Sequence, residues 1–94
     1  MTAYLIFTQV SIQDQAEMDA YSKLAPGTLA GHPASLLVRY GAFEVLEGEA
    51  IEGVVVLSFP TVADARAYYD SPAYQTALPH RLAGATYNVV LVEG

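Results

Sequence analysis

The chain contains no cysteine and no tryptophan, and only four of its 94 residues are lysine or arginine. Without cysteine there is no disulfide framework, no thiolate nucleophile and no cysteine-ligated zinc ribbon. Four cations against ten carboxylates give a formal charge of −6. So few cations cannot displace the counterions of nucleic acid or grip an anionic membrane surface, so neither is expected as a partner. The two histidines, His32 and His80, are far apart in sequence and form no H-x-x-x-H or H-x-x-E pair, so no metal site is expected. The seven glycines are scattered, with no G-x-G-x-x-G and no Walker lysine, and nothing supports a bound nucleotide or flavin. No cofactor is therefore expected. Long hydrophobic runs are missing too. The apolar start, Tyr4-Leu5-Ile6-Phe7, has no basic n-region and is broken by Gln9 and Gln13, so it reads as neither signal peptide nor membrane span. A cytoplasmic location is the expectation.

What is abundant is apolar surface: 53% of residues are hydrophobic and 15% charged. A chain of this length forms one domain, residues 1–94, with a modest core. The surplus points to a self-associating subunit or an apolar pocket. Tyr4 to Val10, rich in β-branched and aromatic residues, reads as a strand. Asp14 and Glu17 have capping-box spacing, and Met18, Tyr21, Ala25 and Leu29 follow at helical steps. Pro26 either kinks this helix or opens a second short one. Ala34 to Leu46 reads as a long strand with a bend or bulge at Gly41. Val54 to Leu57 is a continuous apolar run, as in a strand covered on both faces. Thr61-x-x-Asp64 caps a second helix carrying Tyr68 and Tyr69. Ser71-Pro72 starts another, with Tyr74, Leu78 and Leu82, which Pro79 should kink or shorten. Tyr87 to Glu93 is the last strand. The order βαββαβ predicts a ferredoxin-like α+β fold, a four-stranded antiparallel sheet with the helices on one face. Its bare face predicts a homodimer packed sheet on sheet about a twofold axis.

The stretch Leu37-Val38-Arg39-Tyr40-Gly41-Ala42-Phe43-Glu44-Val45-Leu46-Glu47-Gly48 resembles the central signature of the DUF1330 family. Phe59-Pro60, the helix with Ala65, Tyr68 and Tyr69, Ser71-Pro72-x-Tyr74-Gln75, Arg81 and the closing Val92-Glu93-Gly94 extend the likeness over nearly the whole chain. The resemblance implies a dimeric α+β barrel. It implies no single activity, since that superfamily is similar to muconolactone isomerases, cofactor-independent aromatic monooxygenases, polyketide cyclases and some haem proteins. The chain departs from many relatives at Pro33-Ala34, at Glu49 to Gly53, at Tyr68 and at Pro79-His80.

Arg39 is the most informative single residue. A guanidinium in mid-strand needs a partner or water. It reads as a clamp for a substrate carboxylate, enolate or phenolate, against a salt bridge to Glu44 or Glu47, or a place at the dimer seam. Glu44 can meet it only if a bulge changes strand parity, and is a candidate substrate contact or base. His32, in the helix-to-strand connection, is the candidate proton shuttle, because histidine ordinarily changes charge near neutral pH. His80 is a candidate substrate contact, or a charge at a helix C-terminus. Among seven tyrosines, Tyr69 and Tyr74 are candidates to orient a planar small molecule, against plain core packing. The combined expectation is a cofactor-independent enzyme of isomerase or cyclase type acting on a small anionic or enolisable molecule. A non-catalytic dimeric binding protein and a cofactor-free aromatic monooxygenase are the alternatives.

Overall fold

The computed structural model describes residues 1–94. The elements are β1 (Ala3–Ile12), α1 (Gln15–Leu24), a 3₁₀ turn (Ala25–Leu29), β2 (Ser35–Arg39), β3 (Gly53–Phe59), α2 (Val62–Tyr69), α3 (Pro72–Gly84) and β4 (Ala85–Glu93). All strand pairs are antiparallel, in the order β2-β3-β1-β4. This is the ferredoxin-like α+β arrangement.

Local chemistry sets the helix starts. The Asp14 carboxylate accepts from the Ala16 and Glu17 amides, the Thr61 hydroxyl from the Asp64 amide, and the Ser71 hydroxyl from the Tyr74 amide. The reciprocal half of the first capping box is absent. The Asp14 amide instead donates to the Gly84 carbonyl at 3.0 Å, beside the Gln13 amide at 2.8 Å, so the end of α3 caps the start of α1. Only glycine allows that approach: a Cβ on Gly84 would lie 2.9 Å from Met18 Cγ. Pro26 opens the 3₁₀ turn. Pro79 does not shorten its helix, because the ring withholds a donor from one carbonyl, that of Gln75, and α3 continues to Gly84.

β1 alternates strictly. Ala3, Leu5, Phe7 and Gln9 are buried under the helices, while Tyr4, Ile6 and Thr8 face the other side. Register carries the alternation across the sheet. Phe7 pairs with Val55 and Val89, Leu5 with Leu57 and Leu91, and Gln9 with Tyr87. The core between sheet and helices is mainly aromatic, with Phe7, Phe59, Tyr21, Tyr68 and Tyr74 packed around Met18, Leu57, Ala65 and Ala77. Each such large side chain removed from water stabilises the fold by about 1.5–3 kcal/mol. The opposite sheet face carries Ile6, Val54, Val56, Val90 and Val92 and is covered by no element of this chain; Val90 is 53% exposed.

The second strand differs from the expectation in two ways. It ends at Arg39 rather than Leu46, because Tyr40 adopts a left-handed backbone (φ 51°) that turns the chain off the sheet. Residues 40–52 then form an irregular connection. It is tied at one end by the Tyr40 amide to the Val54 carbonyl (2.9 Å) and at the other by the Glu52 amide to the Gln9 carbonyl (2.7 Å). The register irregularity lies between Leu36 and Val38, not at Gly41.

Candidate functional site

The β2 irregularity decides where Arg39 points. Leu36 pairs with Leu57, Val38 with Val56 and Arg39 with Val55. In a regular strand Leu36 and Arg39, an odd number of residues apart, would face opposite ways. The extra residue, Leu37, brings both to the helical side. There they border an open cavity of about 160 Å³ beneath the 3₁₀ turn. Its floor is Phe7, Val55 and Leu57 of the sheet; Tyr21, Ala25, Pro26, Leu29 and Tyr68 form the helical wall; Tyr40 and Tyr87 close one end. A void near 150 Å³ holds one benzene-sized ring.

Arg39 is exposed at the rim and forms no salt bridge, neither to Glu44 nor to Glu47. Its donors are free for a guest. Deeper in, the phenols are held in pairs. The Tyr21 and Tyr74 hydroxyls are 2.9 Å apart. Thr28 donates to the Ala25 carbonyl at 2.6 Å, so the Tyr68 hydroxyl, 3.0 Å away, donates to Thr28. Burial pushes Tyr68 up to about 12 and raises Tyr21, Tyr74 and Tyr87 as well. All four stay neutral in ordinary conditions and act as hydrogen-bonding groups rather than bases. Arg81 of α3, 3% exposed, lies behind this wall with its guanidinium 5.0 Å from the centre of the Tyr87 ring. It has no carboxylate within 4 Å, and its Nε has no hydrogen-bond partner. The Tyr87 ring face and the neighbouring Tyr74 hydroxyl, both neutral, meet its charge with partial negative charge only. The site is an apolar, ring-sized slot with a free guanidinium at its mouth and a second, buried one behind its tyrosine wall.

A family comparison matches residues 2–94, the whole of this layout, to a domain of unknown function, DUF1330. The chain belongs to the DUF1330 family. No curated protein matches it. Among solved structures, it is similar to the RPA0582 protein of unknown function from Rhodopseudomonas palustris (TM-score 0.76, 18% identity, 99% of this chain and 82% of that one). It is also similar to a dimeric protein of unknown function and ferredoxin-like fold from Bacteroides fragilis (TM-score 0.70, 14% identity, 99% and 96%). A third is SnoaB, a cofactor-independent oxygenase from Streptomyces nogalater (TM-score 0.61, 16% identity, 99% and 90%). At these identities the likeness is one of fold.

The DUF1330 chain does not gather all the candidate residues of its sequence into the slot. Arg39 is there. His32 is one ring away: it meets Tyr68 edge-on at 5.4 Å, and Tyr68, not His32, forms the wall. Tyr74 is fully buried behind Tyr21, Tyr68 and Phe7 and does not itself line the slot. Tyr69, the next residue after Tyr68 on α2, turns to a different depression with Leu5, Val89 and Leu91. His80 donates from Nδ1 to the Glu17 carboxylate at 2.7 Å, pinning α3 to α1 away from the cavity. Glu44 is exposed in the 40–52 connection, because the strand that would have carried it ends at Arg39. Tyr40, Tyr87 and the polar pair Gln9–Glu52 were not singled out as site residues in the sequence. Gln9 carried a signal, being an amide at a buried position in the otherwise apolar alternation of β1.

Proposed function

We propose that this DUF1330 protein is a homodimeric pocket protein that binds the anion of a small, single-ring organic molecule and turns it over without a cofactor. The observation that carries this reading is Arg39, an unpaired guanidinium at the mouth of a ring-sized apolar slot. There it would stabilise a carboxylate, enolate or phenolate while the aromatic walls hold the ring. Isomerisation or cyclisation by proton transfer is the first reaction type. The proton would move through water at the open mouth of the slot, because the Tyr68 hydroxyl is committed to Thr28 and His32 meets only the edge of the Tyr68 ring. A second reading, cofactor-free oxygenation of an electron-rich phenolic anion, is favoured by one feature. The slot wall carries no histidine or carboxylate, an arrangement suited to a guest that arrives already ionised. SnoaB, of the same fold, is a cofactor-independent oxygenase.

Isothermal titration with a panel of single-ring acids and phenols tests the site. Arg39→Ala should lower affinity for the anions by about tenfold or more while leaving the fold intact, since charge-assisted contacts are worth about 1.5–3 kcal/mol. A folded variant with unaltered affinity and turnover removes the assignment. For any substrate found, turnover that persists under strict anaerobiosis selects proton transfer over oxygenation.

The proposed dimer is supported by the uncovered face with Ile6, Val56 and Val90, and by the dimeric Bacteroides fragilis relative. Val56→Lys, at the centre of that face, is expected to give a monomer in analytical ultracentrifugation. A dimer of unchanged dissociation constant would place the interface elsewhere.

A further inference from the structure

The polar side chains at the closed end of the slot admit only one arrangement of protons. Glu52 is exposed and, ionised, can only accept. Gln9 Nε2 donates to its Oε1 at 3.3 Å, which fixes the amide; the flipped amide would set two acceptors against each other. Gln9 Oε1 therefore faces the other way and accepts from the Tyr87 hydroxyl at 2.7 Å. The single proton of Tyr87 is thereby committed. In the 2.6 Å contact between the Tyr87 and Tyr40 hydroxyls, Tyr40 must be the donor. Its own proton is then committed too, and the Tyr40 oxygen can offer a guest nothing but lone pairs. Tyr40 cannot swing freely. Its ring lies where a Cβ on Gly53 would be (2.5 Å), so the glycine seats the ring against β3. Next to it in the chain, Arg39 offers only donors. Both residues border the same slot.

We infer that the guest is a hydroxylated aromatic anion of one ring, bound with its anionic group on the Arg39 guanidinium and its own O–H donated to the Tyr40 oxygen. This rests on the reading of the slot as an anion site and narrows it. A carboxylate lacking a hydroxyl leaves Tyr40 without a donor. A ring bearing only acceptors puts oxygen against oxygen. Discrimination comes from a short tyrosine–tyrosine–glutamine–glutamate chain whose direction is set at its far end by a carboxylate.

The test compares matched probes, 3- and 4-hydroxybenzoate against 3- and 4-methoxybenzoate, by isothermal titration. In at least one position the hydroxy acid should bind the wild-type protein about tenfold more tightly, the ratio equivalent to one net hydrogen bond of about 1.4 kcal/mol. Tyr40→Phe should close that gap by weakening the hydroxy acid. Gln9→Met, a near-isosteric apolar change, frees the Tyr87 proton for Tyr40 and the Tyr40 proton for the guest. It should close the gap by strengthening the methoxy acid instead. Tyr40 is half-exposed, so its variant carries the test alone if the buried Gln9 change prevents folding. Hydroxy and methoxy acids within threefold of each other on the wild type, with Arg39 still required, overturn the inference and leave the anion site standing. A preference that survives Tyr40→Phe overturns it as well. If no benzoate binds with dependence on Arg39, the anion-site reading fails first and this inference falls with it.

Discussion

Between pH 10 and pH 12 the protein is expected to lose its fold, and to do so cooperatively. Tyr68 is pushed up to about 12 by burial, and Tyr21, Tyr74 and Tyr87 are raised for the same reason. In the unfolded chain a tyrosine ionises near its usual value of about 10. Above that pH the unfolded state has released protons that the folded state still holds, so stability falls as pH rises. Below pH 10 both states are protonated and the contribution is intact. Each tyrosine adds a slope of about 1.4 kcal/mol per pH unit. Four acting together approach about 5 kcal/mol per unit, against a total stability of about 5–15 kcal/mol for a domain of this kind. Urea midpoints measured from pH 8 to pH 11 should therefore collapse past pH 10. Tyrosinate absorbance from these four side chains should rise together with the loss of far-ultraviolet circular dichroism, and Tyr68→Phe should shallow the dependence by about a quarter. Complete ionisation of all seven tyrosines in a protein of unchanged dichroism would sink the argument.

The second large effect concerns Tyr74, which has no exposed surface. Its ring centre lies 5.2 Å from those of Tyr68 and Tyr69, 6.3 Å from Tyr21 and 6.4 Å from Phe7. It thereby joins α2, α3, α1 and the sheet in one contact set. Tyr74→Ala removes a ring from the middle of that set and should cost about 3–5 kcal/mol, as for other buried aromatic truncations. The Cm of urea unfolding should fall accordingly at unchanged m. Tyr74→Phe should cost only about 1–3 kcal/mol, the consequence of leaving the Tyr21 hydroxyl without its partner. A loss below about 1 kcal/mol for the alanine variant would mean the cluster closes over the gap and is not the keystone described.

The strands and helix starts could be read from the sequence because their causes are local. Alternation in β1, the caps at Asp14, Thr61 and Ser71, and prolines in first turns act within a few residues. The site was legible only in part, because its causes are distant. Tyr68 and Tyr69 are equally aromatic neighbours, and only the packing of α2 on β1 and β3 decides which one meets the slot. The run from Tyr40 to Leu46 is as apolar as any strand here. It leaves the sheet because Tyr40 takes a left-handed turn while its ring settles on Gly53, a partner beyond the loop. His80 found Glu17 across two helices, a pairing no spacing rule connects. Gln9, Tyr87 and Tyr40 make sense as a set only once β1, β4 and the end of β2 are side by side.

The supernumerary Leu37 in β2 has a consequence for lineage. Straightening the strand by deleting that one codon would leave Ser35, Leu36, Val38 and Arg39 opposite the same residues of β3 as now, so the guanidinium would keep its address. Retaining the codon while ironing out the kink would instead exile the cation to the opposite, uncovered face of the sheet. Kin one residue shorter here can thus share the same chemistry, and an alignment that counts positions from Gly41 backward will pair the wrong residues with Leu36 and Ser35.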